Sequence, residues 1–238
     1  MSDYDRNVAA FPGARAGQSV AVDAGLRAHM IRVYNYMAGG VALTGVVAYF
    51  THQFFGQALY GSPLMYVLMF APLVLVFFIS FRIESLSAST ARALFFVYAA
   101  LVGASLSIIF AVYTEASITR VFFISAAAFA GLSLWGYTTQ RDLTGMGSFL
   151  MMGLIGIIIA SLVNIFLKSS GLDWIISIIG VIVFAGLTAW DTQKIKEMYS
   201  PYDDGTVGGR KAVMGALSLY LDFINLFLML LRLFGDRR

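Results

Sequence analysis

Two aspartates sit where an ionised group is least expected, inside or at the edge of long apolar runs, and they are the residues best placed to do chemistry. Asp222 lies near the middle of the last run, 211–233. Gly215, Ser218, Asp222 and Asn225 recur at spacings of three and four, so on a helix they share one face. A charge at the centre of a membrane helix costs about 2.5–3.5 kcal/mol or more, so such a face must meet protein or water. It reads as a hydrogen-bond network holding a bundle together or as a working site. Asp191 closes the preceding run, with Ser177, Gly180, Phe184 and Thr188 on its face. Taken alone it could be a solvated helix end. Its connection to the last run, though the longest in the chain, is still short enough to make the two helices neighbours and bring their small, polar faces together. Two carboxylates in one low-dielectric site do not both ionise cheaply. They are expected to share a proton and titrate as a pair. Ser218, Asn225 and Thr188 supply the supporting polar face. Arg82 ends the second run on the same side as Asp191, either as a membrane-edge anchor or as a counter-ion that latches the pair.

The elements that must hold these residues are membrane helices. Of the 238 residues, 59% are hydrophobic and 12% charged, against roughly half and a quarter in soluble domains. The apolar residues come in long runs rather than in a periodic stripe, so lipid is the solvent. Crossing a hydrocarbon core of about 30 Å takes about 20 helical residues. Seven runs qualify, near 30–50, 63–83, 92–113, 119–138, 148–167, 173–191 and 211–233. The expected fold is all-α, a seven-helix transmembrane domain over 25–238 behind a polar cytoplasmic tail, 1–24. Pro63 opens the second helix at a permitted first-turn position, and Pro72 is expected to kink it. The connection 192–210, with Tyr202, Asp203 and Asp204, is expected to be a rather long surface loop. Gly131, Gly136, Gly153, Gly156, Gly180 and Gly186 would let helix backbones approach. Asn164 is a candidate for a hydrogen bond between helices.

Arginine and lysine place the N-terminus in the cytoplasm, with Arg27, Arg32, Arg82, Arg141, Lys194, Lys196 and Arg210 on that side. Seven crossings leave Arg120, Lys168, Arg232, Arg237 and Arg238 outside, so the basic tail is the anomaly. A net charge of +3 without a clustered groove gives no footprint for nucleic acid. With no cysteine there is no disulfide, thiolate metal site or cysteine nucleophile. His29 and His52, at opposite ends of the first helix, do not suit a joint metal site. Phosphate-binding loops, paired-histidine metal motifs and glycine-flanked nucleophilic serines are missing, and the chain is not expected to be an enzyme.

Three stretches resemble the Bax inhibitor-1 (transmembrane Bax inhibitor motif) family, in its bacterial branch. They are RDLTGMGSFLMMGLIGIIIASLVN at 141–164, WDTQKIKEMY at 190–199 and ALSLYLDFINLFLMLLRLFG at 216–235. The resemblance runs from about Gly25 to the C-terminus. It implies seven transmembrane helices with the last at the centre of the bundle, in the bacterial inner membrane. It also implies a pH-sensitive calcium leak controlled by two aspartates, matched here by Asp191 and Asp222, with Arg82 as the matching latch. Calcium would be the transported ion, passing the two aspartates at a weak transit site, protons the gating ligand, and no cofactor would be needed. Two further readings stand beside this one. The chain could be a non-conducting regulator that binds a membrane-bound protease or another membrane partner, with the N-terminal tail as its partner surface. It could also be a membrane-embedded enzyme, for which the residues form no coherent constellation.

Overall fold

A computed structural model describes the backbone of residues 12–238 and the side chains of 23–238. The described residues form seven long helices: α1 Pro12–Leu59, α2 Pro63–Arg82, α3 Ala88–Leu106, α4 Glu115–Thr138, α5 Thr144–Leu167, α6 Ser170–Glu197 and α7 Gly205–Phe234. Single turns at Ile83–Ser85 and Ile109–Val112 punctuate the connections. Six of the helices, α2 to α7, are long and apolar enough to cross a membrane. The other, α1, runs for 48 residues, and its side chains pack against α3 and α7. It reaches back to Pro12, so half of the segment read as a polar tail is already helix; residues 1–11 lie outside the described residues.

The last helix is the axis of the bundle. In its most apolar window 72% of α7 is buried, against 11 to 44% for α2 to α6. It packs against α6, α1, α4 and α3. Its core positions are large: Tyr220, Leu219, Leu226 and Leu231 are almost wholly buried. Lipid tails are as apolar as these side chains, so association rests on fit rather than on escape from water. The fit uses glycine where backbones meet. At Gly103 of α3 a Cβ would lie 2.6 Å from the Thr44 carbonyl oxygen of α1. At Gly136 of α4 a Cβ would overlap the Ala189 backbone of α6. Gly131 and Gly156, also expected to thin an interface, face open space.

Several boundaries differ from expectation, each for a local reason. The helix carrying Asp191 does not end there; α6 continues to Glu197. Lys194 stacks on Trp190 at 5.0 Å, and Lys196 donates to the Tyr137 carbonyl oxygen at 3.0 Å. Both lysines sit in the last turn, where the helix dipole favours cations. The next helix starts early because Asp204 caps it, its Oδ1 accepting from the Thr206 and Val207 amides at 2.8 and 2.6 Å. The expected long loop therefore shrinks to 198–204, with Tyr202 exposed. Asn164 does not bridge helices; its Oδ1 accepts from the Ser169 amide at 3.0 Å and closes the end of α5. Asp142 accepts from the Thr144 amide at 2.8 Å at the start of α5, and hydrogen bonding to the Thr144 side chain, then to that amide, holds its carboxyl below the ordinary range. Pro63 stands at the start of α2, and Pro72 lies within that helix.

The basic C-terminus has a structural answer. Helix α7 is 30 residues long, about 45 Å, and runs the length of the bundle. Its tail then docks on the α3–α4 connection: the Thr114 amide donates to the Asp236 carbonyl oxygen, and the Arg238 amide to that of Val112, both at 3.0 Å. Three of the five far-side cations have carboxylate partners there. Arg120 pairs with Asp236 at 3.0 Å, Arg232 with Asp173 at 3.6 Å and Arg238 with Glu115 at 3.7 Å. At the opposite end the Arg210 guanidinium donates to the Glu84 carbonyl oxygen.

Candidate functional site

Because α6 continues beyond Asp191, that aspartate is an interior helix residue rather than a terminal one. Asp222 sits on α7, whose antiparallel course alongside α6 brings the two carboxyl groups within hydrogen-bonding reach of each other. Asp222 is 4% exposed, and its Oδ2 is buried with no hydrogen-bond partner. Asp191 is partly buried, and the Lys194 ammonium, one turn further on, contributes the nearest opposite charge.

The pair looks into a cleft of about 520 Å³. Helix α5 packs along α6 but barely meets α7, and the gap between α5 and α7 is this cleft, with α6 as its floor. Its walls are mostly aliphatic, among them Leu154, Ile157 and Leu187. Against them stand four polar side chains on the α6–α7 side, Asp191, Ser218, Asp222 and Asn225. Ser218 and Asn225 thus share the site as their spacing suggested. The Asn225 amide is committed to its own helix, Nδ2 donating to the Leu221 carbonyl oxygen at 2.8 Å. Thr188 does not line the cleft. It is fully buried, and its hydroxyl donates to the Phe184 carbonyl oxygen at 2.8 Å.

Arg82 is not brought to the pair. It is exposed at the end of α2, and α2 packs against α3 rather than α6 or α7. The ion pairs among the described residues include none between Arg82 and either aspartate. The expected latch is therefore not formed in this state. Spacing within one helix carries no information about which helix lies next to it. The two histidines remain far apart in chain and space, His29 beside Tyr199 and His52 with its Nδ1 2.9 Å from the Tyr60 hydroxyl.

Other polar groups around the site were not anticipated. A row of hydroxyls crosses three helices next to Asp191. The Tyr34 and Ser133 oxygens are 2.6 Å apart, those of Ser133 and Thr192 2.9 Å, and Thr192 donates to the Thr188 carbonyl oxygen at 2.7 Å. Gln193 ties the α4–α5 connection to α6. Its Oε1 accepts from the Leu143 amide and its Nε2 donates to the Arg141 carbonyl oxygen, both at 2.8 Å. On the other side of α7, Thr44 donates to the Ala99 carbonyl oxygen at 2.8 Å and lies 2.6 Å from the Tyr220 hydroxyl. The only hint in the sequence was that each polar residue interrupts an apolar run; the partners lie on other helices for Tyr34, Ser133 and Thr44, in a connection for Gln193, and one turn back for the Thr192 proton.

Two carboxyls with one orphaned oxygen can hold a shared proton, which would give Asp222 Oδ2 the hydrogen it lacks. They can also draw in a cation. They cannot form a tight calcium cage, which takes six to eight oxygens at about 2.3–2.6 Å. Among the described residues no three His, Asp or Glu side chains converge on one point.

A family model described as "Inhibitor of apoptosis-promoting Bax1" matches residues 26–238. The chain is 49% identical to the inner membrane protein YbhL of Escherichia coli, over 94% of this chain and 98% of that one. It is 48% identical to RP147 of Rickettsia prowazekii over the whole length of both, and 46% identical to a protein of Caulobacter vibrioides, again over the whole of both.

Proposed function

The chain belongs to the Bax inhibitor-1 family of membrane proteins, and we propose that within it the chain is a cation leak for calcium, gated by protonation of Asp191 and Asp222. It acts in the bacterial inner membrane, where its relative YbhL resides, with the N-terminus in the cytoplasm. The observation that carries this reading is the orphaned Oδ2 of Asp222, buried beside a second carboxyl at the wall of a mostly apolar cleft. A buried acceptor without a donor is costly, and a network of purely structural bonds would have supplied one. Here the missing partner is mobile: a proton or a metal ion.

Protonated, the pair is held together and the α6–α7 seam stays shut. Ionised, it repels itself and offers a passing cation a weak site, as conduction requires, since an ion must leave as well as enter. Proton and cation compete for the same oxygens, so flux falls as pH falls through the apparent pKa of the pair. An opposing effect was conceivable from the sequence, because protonation could also release an arginine latch. Arg82 makes no ion pair with either aspartate in this state, so the proposed gate is built without that opposing effect. The test is calcium flux into liposomes holding the purified chain alone, across a pH series. Flux that rises with pH supports the leak. Absence of flux at every pH would favour the non-conducting regulator that acts on a membrane protease or other partner.

A further inference from the structure

We propose that the slot between α1 and α4 binds one glycerophospholipid with an anionic headgroup, taken from the leaflet at the Arg27 end of the bundle. The slot lies away from the α5–α7 cleft, on the other side of the central helix. Helices α1 and α4 both pack on α7 but barely touch each other. The hollow between them measures about 670 Å³. Ala38 and Ala42 of α1 face it from one side and Ala126 and Ala130 of α4 from the other, with Phe129 and Phe223 beneath. Small residues on facing helices ordinarily let the backbones close up. Here they stand apart, and the volume that larger side chains would fill is left open.

Its shape and polarity suit a single lipid. From Arg27 to Ala42 the slot follows roughly 22 Å of helix, the depth of one leaflet including its headgroup region. A second hollow of about 360 Å³ shares Val41, Ala42, Phe122 and Phe223 and continues past them, so an acyl chain has room at its tail. Within the slot Tyr34 and Ser133 satisfy each other at 2.6 Å. The depth therefore offers no unmet hydrogen bond to a polar ligand and suits hydrocarbon. The charge is at one end. Arg27 is exposed at the mouth and has no ion pair among the described residues. Behind the mouth the Lys196 ammonium, 5.4 Å from the Tyr137 ring, is already bonded to the Tyr137 carbonyl oxygen and adds only long-range positive charge. Apolar depth beneath the Arg27 guanidinium is the complement of an acyl chain beneath a phosphate. A zwitterionic lipid brings a cation of its own along with the phosphate and so answers this charge less well than an anionic one.

Native mass spectrometry of the full chain, released from detergent doped with equal phosphatidylglycerol and phosphatidylcholine, tests the assignment. One phosphatidylglycerol retained per chain is expected. Arg27→Gln, an exposed substitution that leaves the fold intact, should cut its preference over phosphatidylcholine roughly fivefold, the contribution of one basic residue near an anionic surface. Ala38→Phe with Ala130→Phe fills the slot and should abolish retention, whereas Phe149→Ala on the far face of the bundle should not change it. Equal retention of the two lipids, a preference unaltered by Arg27→Gln, full retention in the filled variant, or a dimer without lipid would each overturn the proposal.

Discussion

Asp222 of α7 meets Asp191 of α6 carboxyl to carboxyl, and the buried Oδ2 of Asp222 has no donor from the protein. One missing hydrogen at a buried pair makes protonation the variable to change. Asp222→Asn keeps the volume and removes the titrating pair. Calcium flux in liposomes should then lose most of its dependence on pH. The double variant Asp191→Asn, Asp222→Asn should behave alike. A double variant with the pH profile of the parent would sink the gate.

Arg82 is exposed and unpaired with either aspartate. Arg82→Ala should leave both the basal flux and its pH profile unchanged. A rise in basal flux would show that the end of α2 reaches the pair in another state.

The Thr44–Tyr220 contact predicts an ordering of stabilities. Thr44 gives its proton to Ala99, so Tyr220 is the donor in the 2.6 Å bond between the two hydroxyls. Tyr220→Phe removes one hydrogen bond and leaves Thr44 satisfied, at a cost of about 0.5–1.5 kcal/mol. Thr44→Val removes two and leaves the buried phenol without an acceptor, at a cost of about 1–3 kcal/mol for that group on top of the bond to Ala99, whose carbonyl oxygen keeps its helical bond within α3. Thermal unfolding in detergent should rank Thr44→Val well below Tyr220→Phe. The reverse order would mean that the central helix is not held by this bond.

Two glycines of α4 should part company. Gly136→Ala drives a methyl into the Ala189 backbone and should destabilise by about 1–3 kcal/mol, the usual cost of overpacking. Gly131→Ala meets open space and should be neutral or slightly stabilising, since alanine is the better helix former. Paired melting curves check this, and equal losses would show that α4 does not pack on α6 at Gly136.

Gln193 is the clasp of the α4–α5 connection. Gln193→Leu should free the Arg141–Leu143 backbone and speed amide exchange there, while exchange in α7 stays as in the parent. Unaltered exchange at Leu143 would count against the clasp.

Much of this molecule is written in local sequence. Long apolar runs can only be membrane helices, because lipid leaves the backbone no hydrogen-bond partner but itself. Spacing put Ser218, Asp222 and Asn225 on one face, and the short connection made α6 and α7 neighbours, which sufficed to bring Asp191 and Asp222 together. Boundaries were less legible. A charge cluster at 191–196 looks like a helix end, but Lys194 and Lys196 are held by Trp190 and Tyr137 and the helix carries on through them. What the tertiary structure alone decided is which faces of helices distant in sequence meet. It kept Arg82 from the pair, set Ser133 of α4 between Tyr34 and Thr192, and left α1 and α4 apart despite alanines suited to close approach. The physical reason is the solvent. Lipid is as apolar as the side chains it surrounds, so an apolar face carries no mark of whether it will meet lipid or protein. Only the fit of backbone to backbone, at positions such as Gly103 and Gly136, selects the partner.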